Sequence, residues 1–172
     1  MQGDIAEKKA QTGAVCKFFE HQGQSKNLKM RHKIYLNFSI SDYYDITGED
    51  ISKILGMDPF LIFVKGQKRP GINMPEKPVA RMNRWIMPSP LDEYALFEDQ
   101  LNATLDIIEP KIHLFKPLCE KYRCEFACAL YLYYNNEKSA PSIYLGERYN
   151  KLTKELKVAF DFDIYMRSDE EE

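Results

Sequence analysis

The sequence predicts an α+β fold: a ferredoxin-like βαββαβ core with an added C-terminal αβ unit, a mainly antiparallel sheet and helices on one face. Three observations carry this. Residues 33–40 alternate strictly, Ile34, Leu36, Phe38 and Ile40 against Lys33, Tyr35, Asn37 and Ser39, which is the period of a half-buried strand. Residues 47–56 are punctuated as a helix, with Thr47 as N-cap, Asp50 three residues on, Ile46 and Ile51 as a hydrophobic staple and Gly56 as the stop. The end of the chain alternates again, Val158, Phe160, Phe162, Ile164 and Met166 against Ala159, Asp161, Asp163, Tyr165 and Arg167.

The remaining elements follow in order. Residues 1–30 mix Lys, Gln, Gly and Glu around Val15, Phe18 and Phe19, and read as an N-terminal extension, either a weak helix or a mobile segment. Residues 31–167 form one α+β domain. Within it Ile51, Ile54 and Leu55 are the core face of the first helix, and the apolar run 60–64 is the second strand. Residues 65–84 carry Lys65, Lys68, Arg69, Lys77, Arg81 and Arg84 against Glu76 alone, among glycines and prolines, and read as a long basic loop. A short strand, 84–87, stops at Pro88 and Pro90. A helix is expected over 91–108, with Leu91, Tyr94, Ala95, Phe97, Leu101, Leu105 and Ile108 as its stripe. Pro110 breaks it, and a second segment runs to about 122. Residues 124–134 are the next strand, closed by the polar turn 135–138. Residues 142–144 are a short strand or extended lead-in to a helix bearing Leu145, Tyr149, Leu152 and Leu156. Residues 168–172 form an acidic tail.

A length of 172 residues, 44% apolar and 13% aromatic, supports one real core. The net charge of −2 supplies no long-range field for polyanions, so nucleic-acid or anionic-membrane binding would have to be local. No apolar run reaches the ~18 residues of a membrane helix, and the first residues lack the apolar region of a signal peptide, so the expected location is cytoplasmic, with no membrane partner.

Taken together, the strand ending Phe38-Ser39-Ile40, the helix-Gly56-Met57-Asp58-Pro59 step, Lys65-Gly66, the Trp85 strand and the closing Phe160-Asp161-Phe162-Asp163-Ile164-Tyr165 resemble the bacterial and phage family catalogued as domain-of-unknown-function 4279. The likeness covers about residues 32–167. It implies an α+β fold and brings no assigned activity, cofactor or catalytic residue.

The chemistry of the residues themselves narrows the function. Cys119, Cys124 and Cys128, with His113 upstream, raise a zinc site, but the four and three intervening residues lack the second short pair such sites use. Thiols packed as small hydrophobes are the expectation, with no metal site and no cofactor. Asp161 and Asp163 share a strand face at a spacing that suits a divalent ion or an acid–base pair, but a metal needs further oxygen ligands, and a solvated face is the expectation. If the main strands form one sheet, Tyr35, Asn37, Tyr131, Tyr133, Asp161, Asp163 and Tyr165 project from one side, a tyrosine-rich face suited to recognition. Cover by the N-terminal extension or by the basic loop is the alternative. Lys65, Lys68, Arg69, Arg81 and Arg84 form a second candidate surface, for an acidic protein or a nucleic acid.

The expected function is therefore a non-enzymatic protein-interaction domain, more narrowly an immunity or inhibitor protein blocking another macromolecule. The alternatives are a nucleic-acid-binding module using the 65–84 loop and a metal-dependent enzyme using Asp161 and Asp163. Two stability expectations follow from the alternation: Phe162→Ala costs ~3–5 kcal/mol by opening a core cavity, and Tyr165→Ala costs little.

Overall fold

The first alternation becomes β1 (Lys33–Ser41), with Ile34, Leu36, Phe38 and Ile40 buried. The structure is a computed structural model that describes residues 31–70, 78–133 and 139–168. The expectations for 1–30, for Glu76 and Lys77, for the turn 135–138 and for the acidic end from 169 fall outside the described residues.

α1 (Gly48–Leu55) is capped as its sequence demands. The Thr47 hydroxyl accepts from the Asp50 amide at 3.1 Å and the Asp50 carboxylate accepts from the Thr47 amide at 3.1 Å, so two otherwise orphaned donors are satisfied reciprocally. Gly56 ends the helix at φ 58°, in the left-handed region that favours glycine. Ile51 and Leu55, four residues apart, are buried, whereas Ile54 sits at the margin and is exposed. The apolar run after α1 yields only β2 (Leu61–Phe63), and β3 (Arg84–Pro88) follows.

The next helix starts later than its apolar stripe suggests. α2 spans Phe97–Ile108, because Asp92 first folds a turn in which its carboxylate accepts from the Tyr94 amide at 2.8 Å and its carbonyl from the Ala95 amide. Leu91 and Tyr94 are exposed in consequence. Pro110 gives a 3-10 turn, Glu109–Lys111, before α3 (Ile112–Lys121). β4 (Arg123–Tyr133), α4 (Glu147–Glu155) and β5 (Ala159–Arg167) complete the described elements, and residues 142–144 lie in no strand. Among the described residues no helix is long and apolar enough to cross a membrane.

The sheet order is β2-β3-β1-β4-β5. The first four strands pair antiparallel, with β1 lying between β3 and β4. β5 pairs parallel with β4, so the sheet is mixed and the ferredoxin-like, mainly antiparallel expectation is met only in part. The cause is topological: α4 carries the chain back along the sheet, so β5 starts at the same end as β4.

Phe38, Trp85 and Phe126 point from the covered face into a core with Leu101, Leu105, Ile108, Phe115, Tyr149 and Leu152. Phe38 meets Phe126 and Phe115 edge-on at centroid distances of 5.2 and 5.4 Å. β3 pairs only with residues 37–41 of β1. The unpaired stretch of β1 is completed by the chain after β3: Ile34 N–H donates to Glu93 O at 2.8 Å, and Ser89 N–H donates to Leu36 O at 2.7 Å.

The last strand departs from its core-facing expectation. Phe160 stacks on Phe126 and meets Tyr149, but Phe162, Ile164 and Met166 are 37%, 61% and 60% exposed. Alternation identifies a face without telling how far the helices extend along it: Tyr149 of α4 meets Phe160, and Phe97 of α2 meets Phe160 and Phe162, so the helical cover reaches only the start of β5. Phe162→Ala should therefore cost about 1–2 kcal/mol instead of the full core value. Tyr165→Ala should cost about 0.5–1.5 kcal/mol, because Tyr165 stacks on Tyr131 at 4.8 Å. Urea midpoints of both variants check this, and a loss above about 3 kcal/mol for Phe162→Ala would restore the buried reading.

Candidate functional site

The pairing register determines which side chains share the sheet face that no helix of the described residues covers, called the open face below. Across β1, β4 and β5 it sets Asn37 beside Ala127 and Asp161, Tyr35 beside Ala129 and Asp163, and Lys33 beside Tyr131 and Tyr165, with Tyr133 beside Arg167. All seven residues expected on this face, Tyr35, Asn37, Tyr131, Tyr133, Asp161, Asp163 and Tyr165, stand on it. Tyr133 is nonetheless buried, whereas Asp161, Asp163 and Tyr165 are exposed.

The face has two unlike ends. At one end Glu125 is buried and held by two guanidinium groups: Arg84 Nη2 donates to Glu125 Oε1 at 2.8 Å and to Ser39 Oγ at 3.0 Å, and Arg123 Nε donates to Glu125 Oε2 at 3.0 Å. Charge-assisted bonds offset the cost of burying that carboxylate. At the other end the rings interlock: Tyr35 meets Tyr131 edge-on at 5.7 Å, Tyr131 stacks on Tyr165, and Arg167 lies over Tyr131 at 5.9 Å. Burial pushes the Tyr35 hydroxyl up to about 12, with the nearby Glu93 charge adding to it, so this phenol is a neutral donor at physiological pH.

Between the ends, β4 offers only the methyl groups of Ala127 and Ala129. They floor a shallow trough flanked by Tyr35 and Asn37 on β1 and by Asp161 and Asp163 on β5. Sequence reading missed Ala127, Ala129 and Glu125. Their signal was present as every second residue of β4 between the apolar ones, but small residues on a strand become a trough only when the neighbouring strands carry large ones. Among the described residues, hollows also lie on the helical side. One of about 160 Å³ is lined by Leu101, Leu105, Tyr144 and Arg148, where Arg148 bridges Asp106 and Glu109 at 2.6 and 2.7 Å.

The basic segment is split. Arg84 belongs to β3 and is bonded to Glu125 on the open face. Lys65, Lys68 and Arg81 are exposed near the β2 edge, opposite the edge formed by β5. The described part of this segment is a short arm in which Gly66 N–H donates to Ala80 O, Ala80 N–H to Gln67 O and Arg69 N–H to Pro78 O. Lys65 lies over the Tyr44 ring at 5.5 Å and Arg69 over Phe63 at 5.5 Å.

Catalytic chemistry finds little support in the cysteines. Cys119, Cys124 and Cys128 are free and buried. Its hydrogen bond with Cys119, together with burial, holds the Cys124 thiol far above the ordinary range, and burial pushes Cys128 up to about 12. Such thiols stay protonated and are poor nucleophiles and metal ligands. Among the described residues no group of three or more His, Cys, Asp or Glu side chains is arranged to hold a metal ion.

Tyr43, buried beneath α1, supplies a pH test. Its hydroxyl has no hydrogen-bond partner among the described residues, and burial, aided by Glu49, raises its pKa from 10.0 to about 12. The folded state thus keeps the proton to higher pH than the unfolded chain does. The associated stability is complete below pH 10 and is lost as pH rises towards 12. Replacing Tyr35 and Tyr43 together by Phe should reduce the fall in melting temperature between about pH 9 and about pH 11. At neutral pH Tyr43→Phe should be neutral or stabilising, since it removes a buried hydroxyl with no partner.

Fold and site together define a class: an α+β domain with helices on one sheet face and a tyrosine- and aspartate-bearing opposite face. The chain belongs to the family described as Domain of unknown function (DUF4279), whose sequence profile matches residues 32–167. No curated protein and no solved structure matches it.

Proposed function

We propose that this protein is a non-enzymatic interaction domain that docks a basic segment of another protein on its open sheet face, acting in the cytoplasm as an immunity or inhibitor protein. The observation that carries this reading is the alanine-floored trough beside Asp161 and Asp163, closed at one end by the Tyr35–Tyr131–Tyr165 cluster. A lysine or arginine stem fits over alanine methyls, its head group meets the two exposed carboxylates, and the ring faces accept the same cation. The tyrosines give contact area at small entropic cost. The free cysteines fit a reducing compartment.

The test is affinity capture from host lysate with the wild type and with a Tyr131→Ala, Asp161→Asn, Tyr165→Ala variant. A protein captured by the wild type, lost from the variant and weakened by salt supports the reading, since exposed charge pairs are screened. Equal capture by both overturns it. Steeply salt-dependent binding of oligonucleotides by the isolated protein would instead favour the basic arm. Thermal stabilisation by a divalent ion, lost in Asp161→Asn, would favour the metal-dependent enzyme.

A further inference from the structure

The two edges of the sheet are built differently. β2 closes one edge with three residues, and a very short strand is one way natural sheets avoid pairing with other chains. Among the described residues β5 has no partner on its outer side, and it forms that edge over nine residues, Ala-Phe-Asp-Phe-Asp-Ile-Tyr-Met-Arg, with no proline, glycine or bulge to interrupt it. Its covered side presents Phe162, Ile164 and Met166 to solvent. Its open side carries Asp161, Asp163 and Arg167, all exposed and without a salt bridge among the described residues.

We propose that β5 pairs antiparallel with β5 of a second copy of this chain, about a two-fold axis at Ile164, fusing the two sheets into one. The occupant follows from charge complementarity. About that axis each residue faces the one equally far on the other side. Asp161 then faces the partner's Arg167, and Asp163 faces the partner's Tyr165, whose hydroxyl can donate to it. Phe162 faces the partner's Met166, and Ile164 faces the partner's Ile164. Over residues 161–167, the span that faces itself about this axis, each polar residue of the open side meets a polar complement and Phe162, Ile164 and Met166 meet apolar residues. An axis at Asp163 would oppose Asp163 to the partner's Asp163, and an axis at Tyr165 would set Asp161 against the aspartate at position 169. Like charges directly opposite destabilise a pair of strands, so the sequence selects the register centred on Ile164. Each subunit's trough then runs beside the shared edge.

Sedimentation or light scattering from about 1 μM to about 1 mM reads the proposal. The wild type should pass from monomer to dimer within that range. Ile164→Lys should be monomeric at concentrations where the wild type is dimeric; Ile164 is 61% exposed, so circular dichroism should show an unchanged fold. Arg167→Asp should weaken the dimer at least about 10-fold by setting two pairs of carboxylates face to face. Asp161→Arg combined with Arg167→Asp should restore it. A wild type that stays monomeric throughout, dimerisation of Ile164→Lys equal to wild type, or no rescue by the charge swap would each overturn the proposal. A Tyr35→Ala, Tyr131→Ala variant, altered only on β1 and β4, should dimerise normally, which separates this proposal from the partner-docking reading.

Discussion

Phe126→Ala should lower the stability of the protein by about 3–5 kcal/mol, the upper range for emptying a packed aromatic site. Phe126 sits on β4, the strand between β1 and β5, and is fully buried. Its ring touches Phe38 edge-on at 5.2 Å, Tyr149 edge-on at 5.6 Å and Phe160 in a stack at 5.8 Å. It therefore joins three strands to α4 through a single side chain. Those neighbours belong to different elements held by their own backbone bonds, so they cannot collapse together into the space, and the cavity term adds to the lost transfer energy. For a chain of this length the loss corresponds to a fall in melting temperature of roughly 6–20 °C. A fall below about 3 °C would show that the ring is not the centre of the core.

The second large effect concerns a polar side chain. Gln100→Leu, similar in volume but unable to hydrogen-bond, should destabilise by about 2–4 kcal/mol. Gln100 is buried in α2, yet its side chain completes the ladder of β1 where β3 is absent. Its Oε1 accepts from Leu36 N–H at 3.2 Å, and its Nε2 donates to Ile34 O at 2.9 Å, Asp92 O at 3.1 Å and Ala95 O at 3.2 Å. Removing the amide strands a buried backbone donor and acceptor, and it releases the turn that delays the start of α2. Denaturant midpoints for Gln100→Leu and Gln100→Ala read this directly. If Gln100→Leu equals wild type, the amide bonds contribute nothing and the site is merely packed.

These two positions show what was legible in the sequence. Phe126 could be placed on the covered side of β4 because local alternation specifies a face. α1 could be bounded to the residue because Thr47, Asp50 and Gly56 act within a few positions of one another. Gln100 was not recognisable as a core residue, because its partners are 64 and 66 residues away and a glutamine at that position reads as solvated. β5 failed for a related reason: its face was assigned correctly, but the reach of α4 and the edge position depend on topology. On the candidate site, the common face of Tyr35, Tyr131, Asp161, Asp163 and Tyr165 followed from period-two alternation. The trough over Ala127 and Ala129 required the register between strands. Arg84 was grouped with the basic loop although it serves Glu125, whose partnership spans 41 residues.

The central claim, that the open sheet face is the interaction surface, is tested most directly by photo-crosslinking in host lysate. A benzophenone amino acid replaces Tyr131 in one preparation and Lys116, exposed on α3, in another. The account predicts a covalent adduct with a second protein from position 131 and none from position 116. An adduct from position 116 with none from position 131 would contradict it.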